Sequence, residues 1–490
     1  MKKAGVLLSI FIPGWILVAV EFDGNPLSVR MAAIAVLMSV LWMTEAIPLA
    51  ATALLPLVLF PFFGISSGKI VAATYMNSTV FLLIGGFMIA LAMERWKLHT
   101  RIALNIIAWF GNQPRRLMLG FMAATCFLSM WISNTATTLV MVPIAMALVA
   151  RFEPDLSADQ SRRIGVGLLL AIAYSASIGG MMTLVGTAPN LVFAQIYEIS
   201  NPASSSVGFA QWMMVGVPIG FSMLTVTAFL LTLRYFRRIP FSNSLATVVI
   251  EERNRLGSIS FEEKAVLTLF TITALLWVTR KGLVLGNLIL PGWQHFIDPE
   301  QFIDDGTVAI LMAFLLFLIP ARDSKGRKTT LLDKDVFTQL PWGVVVLFGG
   351  GFALASGFVD SGLSEYLGLQ LRGLGQASII QMLLSVCVSM TFLTELTSNT
   401  ATTQMILPIL QSAAEAMSIS PLWLMLPATL SASCAFMFPV ATPPNAIVFG
   451  SGRIRVVDMV KTGLILNLSG VLVIICEVWL IAPLVFGIAR

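Results

Sequence analysis

Residues 133–145 read SNTATTLVMVPIA, and residues 398–410 read SNTATTQMILPIL. Each copy begins with the same six small or polar residues, and each lies inside an apolar stretch, at 117–150 and 377–412. Unpaired polar groups are costly in a membrane interior, because no water is present to satisfy their hydrogen bonds. A polar break halfway along an apolar segment predicts two half-crossings, a re-entrant hairpin whose tip faces protein or a water-filled cavity.

The composition predicts a polytopic membrane protein. The chain has 490 residues, of which 57% are hydrophobic and only 11% are charged, whereas a soluble domain carries about 25% charged residues. Its net charge of +5 does not indicate nucleic-acid binding, because the lysines and arginines fall in short loops and act there as topology signals. We expect the protein to be located in the plasma membrane, which in a bacterium is the inner membrane.

A membrane-spanning helix needs about 20 apolar residues. Lys2 and Lys3 precede the first apolar stretch and predict a cytoplasmic N-terminus. If both hairpins return to the side of the membrane they entered from, most later arginines and lysines in loops lie on the cytoplasmic side. The same topology places the C-terminus outside. Arg280 and Lys281 are the main exceptions. The predicted spans are 5–21, 31–47, 49–65, 79–93, 165–198, 212–234, 262–280, 305–320, 341–360, 421–450 and 463–487.

Other motifs recur in the same order as the hexapeptide. Gly85-Gly86-Phe87 returns as Gly350-Gly351-Phe352, at a separation of 350 − 85 = 265 residues. The stretch 186–190, GTAPN, resembles 441–445, ATPPN, at 442 − 187 = 255 residues. Three features in one order indicate an internal duplication.

An odd number of spans between the copies gives them opposite orientations, as in the inverted repeats of secondary transporters. The predicted fold is an all-α polytopic membrane protein with about 11 transmembrane helices plus two re-entrant hairpins. The predicted segments are an N-terminal helix in 1–30, a first repeat over 31–234 with a broken helix at 165–198, a linker at 235–261, and a second repeat over 262–490 with a broken helix at 421–450.

The motifs also predict a binding chemistry. Ser, Thr and Asn are good N-caps, so SNT can begin the second arm of each hairpin, where the helix N-terminus favours an anion. The carbonyl oxygens that end the first arm suit a hard cation such as Na+. Prolines in GTAPN and ATPPN break helices, and unwound backbone at membrane depth lines a cavity. A simple capped or proline-kinked helix is the alternative.

Glu395 lies three residues before the second hexapeptide. A carboxylate in a membrane segment is a functional suspect, here for the site or its gating, and pairing with a neighbour is the alternative. No GxxxxGK[ST] motif and no nucleophile–histidine pair is present, so we expect neither ATP-driven transport nor an enzyme. The absence of buried lysines or arginines predicts that helix ends and cations meet the anion's charge.

The chain resembles the divalent anion:sodium symporters, the dicarboxylate and citrate carriers. The resemblance covers nearly the whole length and is carried by 42–61, WMTEAIPLAATALLPLVLFP, by 85–104, GGFMIALAMERWKLHTRIAL, and by 432–448, ASCAFMFPVATPPNAIV. It implies a homodimer in the lipid bilayer, in which a transport part moves as an elevator against a scaffold.

The resemblance also implies site residues. The implied first sodium site is Ser129, Ser133, Asn134 and Gly186, and the implied second site is Thr394, Thr397, Asn399 and Ala441, several through backbone carbonyls. The implied substrate-binding residues are Ser133, Asn134, Thr135, Thr187, Ser398, Asn399, Thr400, Thr442 and Pro443.

The implied activity is Na+-coupled symport of C4 dicarboxylates such as succinate, malate or fumarate, with Na+ as coupling ion and no organic cofactor. Two alternatives remain open within the family: exchange of citrate or 2-oxoglutarate against another dicarboxylate, and sulfate transport. A sensor or a membrane enzyme lacks support, because the loops are too short for a soluble signalling domain and no reactive constellation is present.

Overall fold

The structure is a computed structural model that describes residues 2–19, 25–111, 113–152, 156–202, 206–237, 251–285, 288–323, 325–371 and 378–489. It is built mainly of helices. The helices of the first half are α1 (Lys2–Ala19), α2 (Pro26–Thr44), α3 (Leu49–Thr52), α4 (Leu55–Phe63), α5 (Gly68–Thr74), α6 (Ser78–Arg95), α7 (Leu98–Phe110), α8 (Pro114–Ser129), α9 (Asn134–Phe152), α10 (Ala158–Met181), α11 (Ala188–Ser200) and α12 (Phe209–Tyr235). The helices of the second half are α13 (Phe261–Thr279), α14 (Trp293–Ile297), α15 (Asp305–Leu318), α16 (Val336–Gln339), α17 (Trp342–Asp360), α18 (Leu363–Leu371), α19 (Ile379–Thr394), α20 (Asn399–Ala416), α21 (Leu422–Ala432), α22 (Pro443–Gly450) and α23 (Val456–Phe486).

Two short antiparallel strand pairs correct the all-α prediction. Strand β1 (Gly282–Leu285) pairs with β2 (Leu288–Pro291), and β3 (Pro320–Arg322) pairs with β4 (Lys328–Thr330). Each pair follows an apolar helix at the point where the predicted span ends. Val, Ile, Leu and Thr suit strands, and a proline is tolerated at the first residue of a strand.

Within the described ranges, seven helices are long and apolar enough to cross a membrane. Fewer elements qualify than the predicted 11 spans, since several predicted spans consist of shorter helices. The stretch 49–65 is divided into α3 and α4 between Thr52 and Leu55. The two predicted broken helices, 165–198 and 421–450, are indeed divided, into α10 and α11 and into α21 and α22.

Helix breaks occur at both hexapeptides. Helix α8 ends at Ser129 and α9 begins at Asn134, while α19 ends at Thr394 and α20 begins at Asn399. These boundaries differ by the same 265 residues as the motifs (394 − 129 and 399 − 134). Each pair of arms packs on the first half of the following broken helix, α8 and α9 on α10, and α19 and α20 on α21.

The two halves of the chain interlock through the second parts of the broken helices. Helix α11 packs against α20 and α21, and α22 packs against α9 and α10. Helices α12 and α23 also pack together. Each hairpin is therefore in contact with the broken helix from the other half of the sequence, which brings both polar tips into one part of the molecule.

The repeated glycine motifs provide close helix packing. A β-carbon added at Gly85 would lie 2.6 Å from the side chain of Ala309, and one at Gly350 would lie 2.5 Å from the carbonyl oxygen of Ala53. Small residues allow two helix backbones to approach closely. Packing of α6 on α15 and of α17 on α3 explains why both glycine motifs are present.

Candidate functional site

A hydroxyl–amide pair closes the first hairpin tip. Ser129 Oγ lies 2.6 Å from Asn134 Oδ1 and 2.7 Å from the carbonyl oxygen of Ala176 in α10. Ser133 Oγ accepts a hydrogen bond of 3.2 Å from the backbone N–H of Ala136, so this serine caps α9 as the motif predicts. The tip is thereby fixed both to itself and to the first broken helix.

The second hairpin tip repeats the hydroxyl–amide contact but not the serine cap, since Ser398 precedes α20 without a side-chain hydrogen bond to its first turn, contrary to the prediction. Thr394 Oγ1 lies 2.6 Å from Asn399 Oδ1 and 2.8 Å from the carbonyl oxygen of Ala432, at the end of α21. Thr397 Oγ1 donates to the carbonyl of Leu393 at 2.8 Å and lies 2.7 Å from Thr402 Oγ1. The Thr397 hydroxyl is therefore engaged within the hairpin, so a coordinating role for this residue falls to its main-chain carbonyl.

An asparagine side chain holds each unwound segment. Asn190 Nδ2 donates to the carbonyl oxygens of Gly180, at 3.0 Å, and Thr183, at 2.6 Å. Asn445 Nδ2 donates to the carbonyl oxygens of Ala435, at 3.1 Å, and Phe438, at 3.0 Å. Each amide joins the first turn of the second half-helix to carbonyls at or beyond the end of the first half-helix, which stabilises backbone that has lost its helical hydrogen bonds.

Gly180 and Gly186 bring the first break against the first tip. A β-carbon at Gly180 would lie 2.5 Å from Asn134 Oδ1, and one at Gly186 would lie 2.5 Å from the carbonyl oxygen of Gly180. Asn134 is therefore in contact with the last turn of α10, and Gly186 of the unwound segment packs against the same Gly180. The structure thus assembles Ser129, Asn134 and Gly186 into one cluster.

The other predicted residues differ in exposure, and Thr442 and Ala441 are buried. Thr442 begins α22 and accepts a hydrogen bond of 3.4 Å from the N–H of Asn445, whereas Thr187 begins α11 without a side-chain cap. Pro443 is exposed, and Ala441 is buried beside it. The residues that are partly accessible at the two tips and the first break are Ser133, Asn134, Thr135, Thr187, Ser398, Asn399 and Thr400.

Helix ends dominate the electrostatics of this region. Helices α9, α11, α20 and α22 begin here, and α8, α10, α19 and α21 end here. Unpaired N–H groups at helix N-termini favour anions, while unpaired carbonyls at C-termini favour cations. The region can therefore hold a carboxylate beside a hard cation without a charged side chain for either.

Orphaned oxygen atoms fit a cation. Asn190 Oδ1 and Asn445 Oδ1 are buried and have no hydrogen-bond partner among the described residues, and the same holds for the hydroxyls of Ser177 and Ser433. Buried polar atoms are otherwise almost always satisfied. These oxygens occur at corresponding places in the two halves, and oxygen atoms are the ligands that a hard cation takes.

Glu395 is a structural clamp. Its carboxylate is buried and accepts hydrogen bonds from the N–H groups of Phe436, at 2.7 Å, Met437, at 2.8 Å, and Phe438, at 3.1 Å, and from Asn467 Nδ2, at 2.7 Å. Pairing with neighbours, one of the two sequence-based interpretations, therefore holds. The clamp nevertheless joins the second tip to the second unwound segment, so it affects the position of the site.

Some contributing residues escaped the sequence reasoning. The tripeptide Ser-Ala-Ser occurs at 175–177 and again at 431–433, a separation of 431 − 175 = 256 residues, and its central carbonyl accepts from each tip hydroxyl. The recurrence of this tripeptide in the sequence could have identified these acceptors. The pair Gly179-Gly180 was a second signal, since the tip can approach α10 only where no side chain intervenes.

The prediction that no arginine is buried is wrong. Arg280 is buried at the end of α13, where Nε lies 2.5 Å from Asp305 Oδ1 and one Nη donates to Gln294 Oε1 at 2.9 Å. A buried charge needs such a partner. This ion pair joins the end of α13 to the start of α15, and both residues line a cavity that also includes Leu184 of the first unwound segment.

The fold and the site define a helical membrane protein with two matched pairs of helix breaks. Residues 2–486 match the family described as the sodium:sulfate symporter transmembrane region, and the chain belongs to that family. Its curated relatives are transporters rather than enzymes.

Two relatives cover most of this chain. The "Sodium-dependent dicarboxylate transporter SdcS" of Staphylococcus saprophyticus is 42% identical over 457 residues, which cover 91% of this chain and 85% of the relative. The SdcS protein of Staphylococcus aureus is 41% identical over 470 residues, 94% of this chain and 87% of the relative.

Solved structures share the fold at low identity. The YdaH transporter of Alcanivorax borkumensis superposes with a TM-score of 0.56 at 13% identity, covering 85% of this chain and 88% of the other. MtrF of Neisseria gonorrhoeae superposes with a TM-score of 0.55 at 14% identity, covering 84% of each chain. The likeness extends to the architecture alone.

Proposed function

We propose that the protein is a secondary active transporter that couples an inward Na+ gradient to uptake of C4 dicarboxylates such as succinate, malate or fumarate. The observation that carries this proposal is the matched pair of hydroxyl–amide contacts, Ser129 with Asn134 and Thr394 with Asn399, each joined to a broken helix. The names of the SdcS relatives supply the substrate class.

The proposed sodium sites lie one at each tip. The first consists of Ser129, Ser133, Asn134 and Gly186. The second consists of Thr394, Thr397, Asn399 and Ala441, with Thr397 contributing its carbonyl. The C-terminal ends of α8 and α19 add carbonyl oxygens, in the manner of half-helices in other transporters.

The proposed substrate site lies between the tips. One carboxylate of the dicarboxylate meets Ser133, Asn134, Thr135 and Thr187 at the N-termini of α9 and α11. The other meets the corresponding groups of α20 and α22, where the aligned N–H groups and hydroxyls act as donors. The second set is Ser398, Asn399, Thr400, Thr442 and Pro443.

The proposed movement follows from the same arrangement. The two halves act as inverted repeats, the hairpins enter the membrane from opposite faces, and the unit that carries them moves as an elevator within a homodimer. The proposed orientation has a cytoplasmic N-terminus and an external C-terminus in a bacterial cell membrane.

Uptake of radiolabelled succinate into proteoliposomes tests the proposal. We expect accumulation that requires an inward Na+ gradient and that is competed by malate and fumarate more strongly than by sulfate. Equal uptake in sodium-free buffer contradicts symport. Counterflow that is independent of Na+ favours the exchanger, and dominance of sulfate favours the sulfate carrier.

Substitution of the tip amides tests the site. Asn134→Ala and Asn399→Ala should each reduce Na+-dependent uptake by about 100-fold, because a ligand and a tip contact are lost together. Asn201→Ala is the matched control, since Asn201 pairs with Gln411 at 3.1 Å outside both tips. Normal uptake by both tip variants contradicts the assignment.

A further inference from the structure

A basic cavity lies where α10 and α23 begin, away from the two tips. Its volume is about 620 Å³, and its ionisable lining side chains among the described residues are Arg162, Arg453 and Arg455. The remaining lining consists of small or apolar groups, including Leu156 and Gly452. A cavity with this lining has the chemistry to hold an anion with an apolar portion.

One buried carboxylate orients two of the arginines. Asp458 Oδ2 lies 3.0 Å from Arg162 Nη2 and 3.0 Å from Arg455 Nε, and Asp458 Oδ1 accepts from Arg455 Nη2 at 3.2 Å. The Asp458 side chain is only 12% exposed, whereas those of Arg162 and Arg455 are 44% and 65% exposed. One buried negative charge thus holds two partly exposed positive ones, so these three side chains together carry a net positive charge.

A third arginine, Arg453, also lines the cavity. The aliphatic part of Arg453 passes over Gly165 in α10, where a β-carbon would lie 3.7 Å from Arg453 Cδ. Packing of the stem directs the position of the guanidinium at the cavity wall. A guanidinium presents its N–H groups as a planar fork, which suits the oxygens of a phosphate.

A lipid-facing stripe begins beside the cavity. Helix α23 starts directly after Arg455, and along it Val457, Leu464, Leu468 and Leu472 are exposed. Their spacing of seven, four and four residues places them along one side of the helix. Exposed leucines along a membrane helix suit acyl chains, and guanidinium groups at the end of such a helix suit phospholipid headgroups.

We infer that this cavity binds the phosphate of an anionic phospholipid, whose acyl chains lie along the exposed stripe of α23. Basic pockets between membrane helices are suited to anionic headgroups, which are abundant in the cytoplasmic leaflet. In the proposed orientation this end of α23 is cytoplasmic, so the inference rests on the proposed function only for its sidedness. Lipid retention is measured without transport, so failure of the lipid site and failure of the proposed transport function can be told apart.

Native mass spectrometry of the full-length protein with added phosphatidylglycerol or phosphatidylcholine tests the inference. The wild type should retain phosphatidylglycerol preferentially, and Arg162→Gln/Arg455→Gln should lower that preference by about tenfold, since each arginine near a membrane surface contributes measurably. Because this change leaves Asp458 buried and unpaired, Arg162→Gln/Arg455→Gln/Asp458→Asn is a second variant with a neutral cluster.

A control with the same change of charge separates the cavity from general surface charge. Arg255→Gln/Arg327→Gln/Asp323→Asn removes two arginines that are 72% and 73% exposed and one aspartate paired with Arg327. It should keep the lipid preference. An unchanged preference in both cavity variants, or an equal loss in the control, overturns the inference. Binding of inorganic phosphate without preference for the anionic lipid also overturns it.

Discussion

At the scale of single residues, the two hairpin tips share one contact and differ in another. The contact of Ser129 with Asn134 recurs as that of Thr394 with Asn399, both at 2.6 Å. Position 132 is a buried isoleucine, while the corresponding position 397 is a threonine whose hydroxyl lies 2.7 Å from that of Thr402. The corresponding hydroxyl of Thr137 in the first tip has no partner among the described residues. The shared contact therefore belongs to the proposed site, and the extra hydroxyl pair belongs to one hairpin only.

Thr397→Ala should be tolerated. It leaves the main-chain carbonyl in place and costs about 1 kcal/mol of stability for the lost hydrogen bonds. Thr394→Ala, which removes the contacts to Asn399 and to the carbonyl of Ala432, should raise the sodium concentration for half-maximal uptake by about tenfold or more. Sodium titration of succinate uptake compares the two variants. A loss in Thr397→Ala as large as that in Thr394→Ala contradicts the carbonyl role.

Gly180→Ala tests the contact between the first tip and the first break. The new methyl would lie 2.5 Å from Asn134 Oδ1, so the amide must move. We expect Na+-dependent uptake at limiting sodium to fall by about tenfold or more, with folded protein retained. Gly86→Ala is the control, because its methyl would meet its nearest neighbour, Val185, at 3.8 Å, an ordinary contact. Normal sodium dependence in Gly180→Ala would argue against this part of the first sodium site.

At the scale of elements, the two unwound segments are stabilised differently. Both contain an asparagine that bridges carbonyls, Asn190 in one and Asn445 in the other. The second segment is also held by Glu395, whereas the corresponding position of the first tip is Met130, whose carbonyl accepts from Thr183 Oγ1 at 2.5 Å. A side-chain carboxylate thus does in one half what a main-chain carbonyl does in the other.

Glu395→Gln should weaken the second segment. The amide nitrogen cannot accept from the N–H groups of 436–438, so at least one buried donor loses its partner, at a cost of about 1–3 kcal/mol. Thermal unfolding in detergent and sodium titration of uptake should both shift, because the segment carries Ala441. Glu415→Gln is the control, since Glu415 is exposed and its carboxylate accepts a hydrogen bond from Gln411 Nε2 at 2.7 Å, away from the unwound segment. Equal stability of the two variants contradicts the clamp.

The breaks of these elements were predictable from sequence, and several of their partners were not. Polar hexapeptides and prolines interrupt apolar periodicity, so the ends of α8, α10, α19 and α21 carry a local signal. Main-chain acceptors such as Ala176 and Ala432 carry none, because any residue supplies a carbonyl. The buried arginine was missed because Arg280 meets Asp305, a residue 25 positions away, and charge counting cannot pair groups across a fold.

At the scale of the whole molecule, the hairpins and broken helices form one unit, because the second part of each broken helix packs on the hairpin from the other half of the sequence. Helix α11 lies against α20 and α21, and α22 lies against α9 and α10. This unit meets α6 and α17 through a few polar contacts. Thr79 Oγ1 donates to Gln195 Oε1 at 2.6 Å, and Gln404 Nε2 donates to the carbonyl of Leu347 at 3.0 Å. These two hydrogen bonds are contacts that the proposed movement would have to break.

Cross-linking across that boundary tests whether the unit moves. The experiment uses a Cys476→Ser background, which removes an exposed thiol. The variant Thr79→Cys/Gln195→Cys is treated with a short cleavable cross-linker that reacts with thiols. Its uptake should fall by about tenfold or more, because alternating access needs one body to move against the other. A reductant should restore it. Asn201→Cys/Gln411→Cys, a pair in contact within the unit, should cross-link and still transport. Full uptake by the first pair while it is cross-linked rules out movement of α11 against α6, and with it the elevator.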